Sequence, residues 1–150
     1  MIRIAVASVC LTVGLCGCGG GLPESARKSL PSTPGTHGGT AFPLASDKGY
    51  VEVVIETVKA TKADRDVILA MYFLKPDLKS PLETTPTGVA ASFAAPGQEA
   101  QIKATLDSRP KAKGDGRFAS EVGPYDFDEI HGEITGSLDG QAFTIPFAVK

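Results

Sequence analysis

The chain has no tryptophan and only two histidines, His37 and His131, so little catalysis can be built on imidazole. No Gly-x-Ser-x-Gly elbow occurs, and no phosphate-cradling glycine loop opens a helix. There is no His-x-x-x-His pair, and Met71 is the only methionine beyond the first residue, which leaves a methionine-rich copper(I) site unsupported. All three cysteines lie within the first 18 residues. The longest apolar run, Ile4 to Leu15, is shorter than the roughly 20 residues needed to span hydrocarbon. Lys and Arg number 15 against 17 Asp and Glu, with no clustered basic stripe, which argues against nucleic acid as a partner.

What is present begins with an address. A single positive charge at Arg3, the short apolar stretch and small residues after it have the layout of a secretory signal. The run Leu15-Cys16-Gly17-Cys18 resembles the bacterial lipobox: an aliphatic residue, one variable position, Gly or Ala, then Cys. The resemblance implies cleavage of residues 1–17 and acylation of Cys18. Cys16 and Cys10 are preceded by Leu15 and Val9, too bulky for the cleavage position. One acyl chain holds a protein to a bilayer marginally, whereas two or more anchor it stably. After cleavage no second cysteine remains, so no intrachain disulfide is expected despite an oxidising compartment. Gly19, rather than Asp, after the acylated residue implies the outer membrane over the inner one by the enteric-type sorting rule.

Residues 18–47 read as the lipidated cysteine and a disordered Gly/Pro/Ser tether with little to bury. Such a segment spans about 30 Å on average and at most about 100 Å. Residues 48–150 carry the domain. Tyr50 to Val58 alternates, with Val51, Val53 and Ile55 on one face and Glu52 and Glu56 on a solvated one. Val67 to Leu74 is apolar on both faces and reads as a covered central strand. Val89, Ala91 and Phe93 share a face, as do Ile102, Ala104 and Leu106, and a short strand is expected at Arg117-Phe118-Ala119. Ile130 to Leu138 and Phe143 to Val149 form a hairpin about Asp139-Gly140, residue types that accept the positive φ angles of a type I′ turn. Pro146 cannot donate to a ladder, which puts the last strand at an edge or bulge. With 17 Gly and 11 Pro and no helical period, the fold class is all-β: an antiparallel, immunoglobulin-like sandwich of six to seven strands.

Candidate ligand residues are few. His37 sits in Thr36-His37-Gly38-Gly39-Thr40, where glycine permits close backbone approach; it reads as a docked turn or as a metal ligand. His131 and Glu133, two apart on a strand, point to one face expected to be solvated, with Asp126, Asp128 and Glu129 just before them. Imidazole with carboxylates could hold a divalent metal ion, although an ordinary charged sheet face accounts for the same residues. Glu52 and Glu56 lie about 13 Å apart along their strand, beyond the roughly 5–9.5 Å of glycosidase pairs. No cofactor and no enzymatic activity are expected.

His37-Gly38-Gly39, the strand from Tyr50 to Glu56, Tyr72 to Asp77, Arg117-Phe118, and Gly132-Glu133 through Asp139-Gly140 to Phe143 follow one another in an order that resembles small bacterial lipoproteins of the planctomycete type. The resemblance covers about 115 residues in short motifs. Their His-Gly-Gly segments are in turn similar to regions of metal-efflux accessory proteins, which implies a link to cation export or copper handling. The expected function is a non-catalytic binding or accessory module of the cell envelope, held at the membrane by its lipid and engaging an envelope protein.

Overall fold

A computed structural model describes residues 30–60, 65–95, 102–123 and 128–150. The leader, Cys18, the tether up to residue 29 and Asp126 lie outside the described residues. Among the described residues there are ten strands: β1 (Thr33–Pro34), β2 (Thr40–Pro43), β3 (Tyr50–Ala60), β4 (Arg65–Leu74), β5 (Thr87–Ala94), β6 (Ile102–Thr105), β7 (Asp107–Ser108), β8 (Arg117–Ala119), β9 (Ile130–Leu138) and β10 (Gln141–Val149). They form a six-stranded sheet in the order β1-β2-β3-β4-β8-β7 and a four-stranded sheet in the order β10-β9-β5-β6. Every pairing is antiparallel. The fold is an all-β sandwich, as the alternating apolar pattern requires.

The core follows from that alternation. Val51 and Val53 of β3 and Leu69, Met71 and Phe73 of β4 face inward, against Ala91 and Phe93 of β5, Ile130 and Ile134 of β9 and Ile145, Phe147 and Val149 of β10. Aromatic edges cross between the sheets, Phe42 to Phe147 at 6.4 Å and Phe73 to Phe143 at 6.0 Å between ring centres, geometries that add to plain area burial. At the β9–β10 hairpin Asp139 (φ 53°) and Gly140 (φ 76°) make the turn, and Leu138 pairs with Gln141. Pro146 lies in β10, at a sheet edge. Burial of β4 on both faces matches its unbroken apolar run.

Three short strands exceed the expected seven, and two of them correct the domain boundary. β1 and β2 fall inside 18–47, the stretch assigned to the tether. Ala41, Phe42 (2% exposed) and Leu44 are buried, β2 pairs with β3 over four residues, and Leu30 packs against the core. Three apolar residues between glycines and prolines are too few to show a period, yet one phenylalanine in the core and a paired backbone suffice to join this segment to the domain. The domain therefore starts at or before residue 30.

Candidate functional site

Alternation places Glu52 and Glu56 of β3 on the outer face of the six-stranded sheet, and strand register lines up Glu52 with Tyr72 of β4 and Tyr72 with Arg117 of β8. Glu52 and Glu56 were expected on a solvated face, and Tyr72 on a covered strand. Glu52 is instead 0% exposed and Tyr72 is 5% exposed. What covers them is the loop between β1 and β2, residues 35–39, which folds back over the sheet.

Glu52 accepts hydrogen bonds from the backbone N–H groups of Thr36 (3.1 Å), His37 (2.7 Å) and Gly39 (2.9 Å) and from Nδ1 of His37 (2.8 Å). A carboxylate only accepts, so Nδ1 carries the proton. Successive amides turned toward one anion form a backbone nest, here built around the protein's own side chain. Approach is close enough to dictate sequence. A Cβ on Gly35 would lie 2.1 Å from Cδ of Glu52, and one on Gly39 would lie 2.1 Å from the Val53 carbonyl oxygen. The His37 ring stacks on Tyr72, 3.8 Å between centres and 2° between planes, and Thr36 Oγ1 donates to the Leu78 carbonyl (2.7 Å). The glycines that suggested a loose tether are those a tight carboxylate cradle requires.

The row continues through charge. The Tyr72 hydroxyl donates to Glu56 (3.1 Å), whose carboxylate also accepts from Nε (3.2 Å) and Nη2 (2.9 Å) of Arg117 and pairs with Nζ of Lys111 (2.6 Å). Arg117 Nη1 donates to the Arg109 carbonyl. Asp115 accepts from the amides of Lys111, Ala112 and Arg117. Burial pushes the Glu56 carboxyl up, but the Arg117 and Lys111 donors outweigh it and hold Glu56 below the usual carboxylate value. Burial and the adjacent Glu56 charge push the Tyr72 phenol up to about 12. Ala70 and Leu74, packed with Val54, close the rest of this face. Ser120 holds backbone: its hydroxyl accepts from Leu69 N–H and donates to the Glu121 carbonyl.

The sequence-predicted ligand residues do not converge. His131 and Glu133 lie on the outer face of the four-stranded sheet, opposite the face that carries His37. Glu133 is exposed, but His131 is 4% exposed, which corrects the solvated setting expected for it. Its strand lies between β5 and β10, with Ala94 and Ala148 as its register partners. Among the described residues no three His, Cys, Asp or Glu side chains are grouped so as to hold a metal ion. An open cleft of about 310 Å³ lies between Lys48, Lys75, Leu82 and Asp139, its lysines paired with Asp139 (3.1 Å) and Glu83 (2.8 Å).

Glu52 was missed as a site residue because an acid between two valines in an alternating strand reads as solvent-facing. The available signal was upstream: a histidine among three glycines, before a strand bearing an acid, has the composition of a backbone nest. Comparison with known proteins yields no matching family model, no matching curated protein and no matching solved structure.

Proposed function

We propose that this chain is a lipid-anchored module of the bacterial cell envelope that binds a protein partner without catalysis. The observation that carries the reading is Cys18 at the end of Leu15-Cys16-Gly17-Cys18, behind the apolar run from Ile4 to Leu15. Two further features support it. The row from His37 to Arg117 spends its hydrogen-bonding groups on one another, as a structural network does. The nine-residue β10 lies at a sheet edge, and an edge strand of this length offers backbone groups to an added strand. Gly19 favours the outer membrane as the site of retention.

Cys18→Ala is expected to abolish incorporation of labelled palmitate and to move the protein from the membrane fraction to the soluble periplasmic fraction. Unchanged partitioning would overturn the anchor. Cross-linking in intact envelopes, with and without Cys18→Ala, is expected to recover a partner only from the anchored form.

A second reading is supported by one geometry. A ligand histidine commonly donates its other ring N–H to a carboxylate, and the His37–Glu52 pair has that arrangement with 32% of the His37 side chain exposed. Calorimetric titration with Cu²⁺ and Zn²⁺ tests it: binding heat that His37→Ala removes and His131→Ala leaves intact would support a metal at His37.

A further inference from the structure

We infer that residues 35–39 are a latch whose lifting uncovers an acceptor for a planar nitrogen donor, imidazole or guanidinium in class. The inference does not depend on the lipid anchor or on the partner proposed above.

Three observations carry it. First, the occupied half depends on one segment. Among the described residues, all four hydrogen bonds to Glu52 come from 36–39, so they break together when the loop lifts. Second, the Tyr72 shelf and the strand position of Glu52 do not depend on that segment. Tyr72 is held flat by its hydroxyl on Glu56, Glu56 by Arg117 and Lys111, and Arg117 by the Arg109 carbonyl. Glu52 and Tyr72 are direct cross-strand partners in the longest strand pairing of the molecule. Lifting the loop therefore leaves an aromatic shelf beside a carboxylate, the arrangement that recognises a flat cation or N–H donor by stacking and a charge-assisted hydrogen bond. His37 now fills that place as a ligand would, coplanar with Tyr72 and bonded to Glu52.

Third, among the described residues few contacts besides the Glu52 bonds and the Tyr72 stack hold the latch. β1 has two residues at the sheet edge, and besides Glu52 the loop has the Gly35 N–H to Gly39 carbonyl bond and Thr36 on Leu78. Segments with few anchors at an edge open below the global unfolding free energy. Among the described residues, the Glu52 clamp thus gathers most of the hydrogen bonds between the loop and the sheet onto one side chain.

Hydrogen exchange on the full chain tests the latch. The amides of Thr36, His37 and Gly39 are expected to exchange through one shared opening, with protection at least about tenfold below that of the β3 and β4 core amides. Exchange only with global unfolding, or at unrelated rates for the three, would overturn it. His37→Gly tests the acceptor: free imidazole is expected to raise the melting temperature of this variant saturably, by mass action on the folded state. Imidazole is expected to leave the His37→Gly, Tyr72→Ala double variant unmoved. No effect on the single variant, or an equal effect on both, would sink the acceptor. Should His37→Gly fail to fold, the exchange pattern of the unmodified chain decides.

Discussion

Glu52 and Glu56 stand four residues apart on one strand and one face, yet the molecule stabilises them by different means. Glu52, fully enclosed, is held by backbone amides and one imidazole from a loop 13 to 16 residues upstream. Glu56, at the rim, is held by two full cations, Arg117 from 61 residues downstream and Lys111. Amide donors bring partial charge without side-chain entropy to lose, and they work in a dry site that would penalise a second ion. At Glu56 the exposed Lys111 keeps its water, while the buried Arg117 is satisfied by the carboxylate and the Arg109 carbonyl. The contrast shows that depth, rather than residue type, sets the partner a carboxylate needs.

The deep half should be the more fragile. Glu52→Ala removes the acceptor and leaves three loop amides and the His37 ring N–H to find water or lift away. By analogy with breaking buried charged pairs, the loss should be about 3–5 kcal/mol, read as a lowered urea midpoint. Glu52→Gln keeps one oxygen acceptor and should recover part of that loss. If Glu52→Ala costs less than Arg117→Ala, the ranking of the two halves is wrong.

At the rim, Arg117→Ala should cost about 2–3 kcal/mol, since it leaves Glu56 and the Arg109 carbonyl short of a buried donor. Lys111→Ala should cost no more than about 0.5 kcal/mol, because the lysine is largely exposed and pairs in high dielectric. The two variants touch the same carboxylate, so their difference isolates burial of the cation. Equal losses would show that the charge on Glu56 matters and its partner's depth does not.

Much of this sheet was legible in the sequence, because alternation in β3, β9 and β10 and the two-sided apolar run of β4 each follow from where backbone pleats point side chains. The Asp139-Gly140 turn and the edge position of Pro146 were legible for equally local reasons. What covers the outer face was not. Glu52 is solvent-facing by period alone, and only the fold-back of Gly35 to Gly39 buries it, a contact between segments with no shared pattern. The same holds for His131, which is solvent-facing by period and buried in the fold. Phe42 was lost to the tether for want of a period around it.

Tyr72 joins the two halves, stacked under His37 and hydrogen-bonded to Glu56, and its hydroxyl gives the finest test. Its phenol is raised to about 12 from an ordinary 10.0, so the folded state holds this proton more tightly than the unfolded chain. The stability that follows is fully present below pH 10 and is lost as pH rises from 10 toward 12, reaching about 2 kcal/mol at the upper end. Tyr72→Phe keeps the ring for stacking and deletes the titration. At neutral pH it should cost about 1 kcal/mol, the net worth of one hydrogen bond. Between pH 10 and 12 its stability should fall less steeply than that of the unaltered chain, so that the two urea midpoints converge and then cross. Parallel curves would mean that the hydroxyl does not feel Glu56, and that the shelf under His37 is held by packing alone.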